Sequence, residues 1–188
     1  APLLASLPDP TDERLPALAR QALQPLARQL DRLQAEIEGL ERRIIEWHRT
    51  SEVSQRLASI PGIGPITATA LAATITDPAM FACGREFSAF LGLVPRQSSS
   101  GGKERLGRIS KMGDRYLRTL LVVGATAVLR HAKAGGSTSR VWAEGLLAKK
   151  PFKLVAVALA NKTARIAWAV MARGQVFRKT EEVRAVAA

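Results

Sequence analysis

Residues 23–47 read LQPLARQLDRLQAEIEGLERRIIEW, and the spacing of their apolar side chains decides the fold class. Leu23, Leu26, Leu30, Leu33, Ile37, Leu40, Ile44 and Trp47 recur at alternating steps of three and four residues. Those steps place every one of them on a single stripe of an α-helix, as in the a/d seam of a heptad repeat. Arg28, Asp31, Arg32, Glu36, Glu38, Glu41, Arg42 and Arg43 flank the stripe. A coiled coil or a long antiparallel helix pair is the direct inference; the alternative is one ordinary helix packed on its own domain. The strict 3.5-residue period suits a partner helix better than a broad core face, so a homo-oligomer through Leu26, Leu30, Leu33, Ile37, Leu40, Ile44 and Trp47 is expected. Pro25 implies a kink or a helix start nearby, and Gly39 weakens the helix by about 1 kcal/mol relative to Ala.

The rest of the 188 residues extends the helical reading. Apolar residues make up 47%, enough for a core, with Ala and Leu dominant and little β-branched alternation. An all-α protein is predicted: a long N-terminal coiled-coil helix, then a bundle of about five or six helices holding a helix-hairpin-helix. Aromatics stand at 5%, too few for an aromatic platform that stacks single strands. The 28 Lys and Arg against 16 Asp and Glu leave +12, a surplus that concentrates polyanions, of which nucleic acid is the commonest. The lone Cys83 excludes an internal disulfide and a cysteine-based zinc knuckle, and His48 and His131 share no ligand spacing; both are read as surface or cap residues. No metal site is expected in this chain. No apolar run is read as approaching the roughly 18 residues of a membrane span, and Ala1-Pro2-Leu3-Leu4 lacks a signal-peptide plan. A cytoplasmic, nucleoid-associated protein without a membrane role is expected.

Along the chain, residues 1–12 with Pro2, Pro8 and Pro10 read as a linker or edge, 13–52 as the coiled-coil helix, 53–175 as the main domain, and 176–188 as a charged tail. Within the main domain, Ser54–Ser59 and Arg85–Leu91 read as short helices. A helix starts at Ile66, Arg96–Gly113 reads as a polar basic loop, and Asp114–His131 as an amphipathic helix. Gly135–Ser139 reads as a linker before helices at about Arg140–Lys149 and Phe152–Arg173.

Three segments carry chemistry. In the turn Pro61-Gly62-Ile63-Gly64, Gly62 and Gly64 permit a tight bend that brings backbone N–H groups near a phosphate, with the N-terminus of the next helix aimed at the same anion. That is a helix-hairpin-helix reading; an ordinary αα-turn with glycine at the cap is the bland one. From Arg96 to Arg118, the cations Arg96, Lys103, Arg105, Arg108, Lys111, Arg115 and Arg118 face only Glu104 and Asp114, so +5 of the net charge falls in this stretch. Arginines grip phosphates bidentately. Ser98-Ser99-Ser100-Gly101-Gly102 adds hydroxyls and a backbone that can approach closely. A serine among cations could attack a phosphodiester; composition alone also allows a flexible Ser/Gly linker. In Asn161-Lys162-Thr163-Ala164-Arg165, Lys162 and Arg165 could reach phosphates or stay solvated, and the sequence leaves these even.

The ordered blocks Ile60-Pro61-Gly62-Ile63-Gly64, Phe90-Leu91-Gly92-Leu93-Val94-Pro95-Arg96, Ser99-Ser100-Gly101-Gly102-Lys103, Leu106–Arg118 and Asn161–Trp168 closely resemble the C-terminal domain of the DEDD/serine insertion-sequence transposases. These are the bridge-RNA-guided recombinases, relatives of the Piv-type DNA invertases. The likeness spans about residues 55–175, and the heptad stretch resembles the coiled coil before that domain. The resemblance implies a nucleophilic serine directly before a glycine. Here that is Ser100, with Ser99 the fallback because the serine run leaves the register open by one. It also implies DNA and a structured guide RNA as partners. A divalent metal, Mg by expectation, would sit in an N-terminal RuvC-like domain that this stretch does not include. On this view the chain is part of a longer enzyme, inactive alone. A non-catalytic helix-hairpin-helix DNA-binding or scaffold module is the competing expectation, and a coiled-coil adaptor that is basic by chance is a third. The basic loop is expected to be poorly ordered without nucleic acid.

Overall fold

The computed structural model describes residues 16–98, 105–131 and 138–178, apart from the side chains of residues 20, 131 and 138–141. Two units divide the chain, Ala1–Glu46 and Trp47–Ala188. The edge expected at 1–12, the linker residues 135–137 and the tail beyond residue 178 lie outside the described residues.

Helix α1 (Ala17–Thr50) realises the heptad stretch and runs through Pro25 rather than starting there. Its polar flanks are laced by i,i+4 contacts, Arg32 to Glu36 at 3.1 Å and Gln34 to Glu38 at 3.2 Å. In the first unit, Leu26, Leu30, Leu33, Ile37 and Leu40 of the seam are 46–56% exposed.

In the second unit Ser51 separates two helices. Its hydroxyl accepts from the Ser54 N–H and caps α2 (Glu52–Ala58). The fully buried Ser54 hydroxyl is satisfied by His48 Nδ1 at 2.7 Å and Thr69 Oγ1 at 3.4 Å. His48 is thus a half-buried internal partner rather than a surface residue. The side chain of His131 lies outside the described residues.

Then follow α3 (Pro65–Thr74), a 3₁₀ turn (Pro78–Met80), α4 (Gly84–Phe90), strands β1 (Pro95–Gln97) and β2 (Leu106–Ile109), α5 (Arg115–His131), α6 (Thr138–Leu147) and α7 (Phe152–Arg173). The fold is helical as expected, with one departure: β1 and β2 pair antiparallel, with an irregularity between Pro95 and Gln97. The stretch read as a polar basic loop therefore begins and ends as paired strands.

Helix α7 is the central element, packed against α2, α4, α5 and α6. Its buried face carries Ala156, Ala160, Ala164 and Ala167 beside Val155, Leu159 and Val170. Those small side chains let neighbouring helices approach closely. By length and composition α7 is apolar enough to cross a membrane, which the reading of the sequence did not register. Its apolarity faces Leu117, Leu121 and Phe87 in one buried cluster, so the helix is the core of a bundle. Gly174 ends it in the left-handed conformation, φ 63°.

Candidate nucleic-acid interface

The basic hairpin is held by its ends. Where α4 stops, Gly92 takes φ 68°, and where the returning chain enters α5, Gly113 takes φ 81°. The two turns cross. A side chain on Gly92 would overlap the Met112 backbone, and one on Gly113 would overlap the Phe90 carbonyl. Only glycine combines positive φ with that approach. The Lys111 N–H donates to Gly92 O at 3.1 Å and the Ser110 N–H to Val94 O at 2.8 Å, closing the base. Asp114 then caps α5, its Oδ1 accepting from the Leu117 N–H at 2.8 Å. From α7, Asn161 Nδ2 donates to Leu93 O at 3.1 Å.

Arg118, expected on phosphate, is engaged at this base. Its Nη1 donates to Leu91 O at 3.0 Å and Met112 O at 3.2 Å, tying the end of α4 to the start of α5. Carbonyls left after a helix end need such a donor, so its position in the fold accounts for this arginine.

Above the base, the ladder continues to a Ser98 N–H bond with Arg105 O at 2.9 Å. Arg96, Arg105, Arg108, Lys111 and Arg115 are exposed. Arg96 Nη2 also reaches Ser110 O at 3.3 Å. Ser99, Ser100, Gly101 and Lys103, which the resemblance singles out, lie outside the described residues. The described ends of this stretch are the paired strands β1 and β2.

Beside the hairpin lies a groove of about 1010 Å³. Arg108 enters it from β2, Lys162 and Arg165 from α7, Arg85 from α4, and Trp142 from α6. The Lys162 ammonium sits 4.6 Å from the centre of the Trp142 ring, a cation–π contact that aims it. Burial, and secondarily the neighbouring Arg165 charge, lower the pKa of Lys162. No Asp or Glu lines the groove among the described residues. α4 can bring Arg85 close because Gly84 rests on the α7 backbone, where an added Cβ would lie 3.0 Å from Arg165 O. The sequence pointed to Arg108, Lys162 and Arg165 separately, and the fold unites them. It gave no sign of Arg85 or Trp142, which reach the site only through tertiary packing.

The Gly62 and Gly64 turn is not part of this lining. Gly62, φ 88°, packs on the Gly124 backbone and Val128 of α5, and Ile63 is buried. Gly64 differs: a Cβ there would meet nothing, and the residue is exposed at the start of α3, with Pro65 in its first turn.

Residues 54–139 match a family described as Transposase IS116/IS110/IS902 family. The chain carries a transposase domain of that family. This is the relationship expected from the motif blocks. The transposase domain and its flanks are 46% identical over 171 residues to a putative transposase, y4pF/y4sB, of Sinorhizobium fredii, covering 90% of this chain and 44% of that protein. They are 49% identical over 164 residues to a probable family 20 transposase of Pseudomonas aeruginosa, covering 87% and 48%. The transposase for insertion sequence element IS1328 of Yersinia enterocolitica is 41% identical over 176 residues, covering 94% and 52%. The chain thus spans about half the length of these relatives.

Proposed function

We propose that this chain is the DNA-binding, nucleophile-bearing part of an insertion-sequence transposase that exchanges strands through a serine-linked intermediate. The observation that carries the reading is the convergence of Arg85, Arg108, Lys162 and Arg165 from three elements on one groove lined by no carboxylate among the described residues. Phosphate is the ligand such a cluster suits, and the exposed cations of the hairpin extend it. The turn at Gly64 acts as a second, sequence-independent clamp of helix-hairpin-helix type, offering open backbone at the head of α3.

In this reaction the hydroxyl oxygen of Ser100, or of Ser99, bonds to phosphorus as the phosphorus–oxygen bond to one deoxyribose breaks. The serine proton ends on the released deoxyribose hydroxyl. Attack by the hydroxyl of the other strand reverses the step and frees the serine. Bond energy is conserved, so the cations need only stabilise charge developing on the phosphoryl oxygens. Among the described residues no three His, Cys, Asp or Glu side chains converge as metal ligands. The divalent ion implied by the resemblance would be held by the acidic residues of the RuvC-like domain. A structured guide RNA is the proposed second nucleic-acid partner, and the cytoplasmic nucleoid the place of action.

In the full-length transposase, Ser100→Ala and Ser99→Ala are each to be assayed for strand exchange, for covalent protein–DNA adduct and for DNA affinity. One of them is expected to abolish exchange and adduct while leaving affinity within about twofold. Exchange that survives in both would favour a non-catalytic DNA-binding or scaffold module instead. The seam of α1 is proposed to pair two copies. Leu33→Glu with Ile37→Glu should convert a sedimenting oligomer to monomer, and an unchanged sedimentation coefficient would remove that proposal.

A further inference from the structure

The groove has a composition that phosphate binding alone does not require. Its floor is apolar, with Leu93, Ile109, Leu154 and Val157 among its lining, and cations stand among that apolar surface. Trp142 is 39% exposed, so ring surface remains available beside the ammonium of Lys162. A duplex backbone needs only a charged ridge, and the exposed hairpin already provides one. An apolar recess with an aromatic side chain and guanidinium planes is instead what an unstacked base requires.

We infer that the groove receives an unpaired nucleotide, its base against Trp142 and the apolar floor and its phosphate on Lys162, Arg165 and Arg108. The inference rests on the nucleic-acid reading above and narrows it, since it assigns the groove to single-stranded rather than duplex substrate. The space is of the size that holds a ligand of nucleotide dimensions. The four cations stand with no carboxylate among the described lining residues, so an incoming phosphate meets no repulsion there. A bound anion would counter the burial and the neighbouring Arg165 charge that lower the pKa of Lys162. Strand exchange must unpair bases near the cut, which supplies such a nucleotide at the time it would be needed.

The test uses the 188-residue chain with fluorescently labelled oligo-dT, oligo-rU and a blunt duplex, each titrated by anisotropy. Trp142→Ala should weaken oligo-dT binding about tenfold, within the range for one stacked base, and Trp142→Phe should restore most of it. Arg165→Gln, at an exposed position that no core contact depends on, should weaken oligo-dT severalfold. Duplex affinity should fall less than oligo-dT affinity in each of the three variants. Photo-crosslinking of an oligonucleotide carrying 5-iodouracil should place the adduct on Trp142, a readout independent of variant folding. Comparable loss with oligo-rU extends the site to RNA, whereas loss with oligo-dT alone confines it to DNA; either supports the inference. If the wild-type chain binds duplex but Trp142→Ala, Arg165→Gln and the crosslink leave oligonucleotides untouched, the groove assignment is overturned and the proposed function stands. If the wild-type chain binds neither duplex nor single strands, both fall together.

Discussion

The base and the strands of the basic hairpin belong to one short stretch of chain and obey opposite rules. At the base, Gly92 and Gly113 cross at backbone contact, Arg118 gathers two carbonyls, and Asn161 pins Leu93 from α7. Along the strands, β1 is exposed throughout and only Ile109 of β2 is partly covered. The molecule fixes geometry where few charges are needed and gathers charge where little of the core depends on it. Stability and nucleic-acid affinity should therefore separate along the hairpin.

The sharpest way to break that contrast lies at the base. Gly113→Ala places a side chain at positive φ and against the Phe90 carbonyl, and should cost about 2–4 kcal/mol in urea unfolding. A midpoint equal to wild type would mean the crossing is not tight. Arg118→Met should cost less, about 1–3 kcal/mol, because the carbonyls of Leu91 and Met112 lose their donor. If stability were unchanged and DNA affinity alone fell, Arg118 would be a phosphate ligand and the division drawn here would be wrong. The smallest stability effect belongs to the strands. Arg105→Gln with Arg108→Gln should move unfolding by no more than about 0.5 kcal/mol, yet flatten the salt dependence of DNA binding by about two phosphate equivalents. An unaltered salt slope would remove these side chains from the interface.

How far the sequence foretold this follows from what each feature depends on. Helix α1 was legible because a repeat of three and four residues is a local property, and α7 because its apolar face persists over its whole length. The hairpin was not, since Pro95-Arg96-Gln97 and Leu106-Gly107-Arg108-Ile109 lack the alternation of a half-buried strand. They are extended because their ends are clasped. Arg118 looked like one more cation in a basic run, and nothing local reveals that it reaches back to Leu91. The groove was half legible: Arg108, Lys162 and Arg165 drew notice for their charge, whereas Arg85 and Trp142 join them only after α4 and α6 dock on α7. Gly64 and Gly62 looked alike in the sequence, but α5 presses on one and leaves the other open.

Cys83 stands on the wall of the groove, is exposed, and is the chain's single thiol. A maleimide dye or nitroxide would therefore attach at one known place without any engineered cysteine. Such a reporter could follow, in real time and in the otherwise unaltered protein, when the recess fills and when it empties.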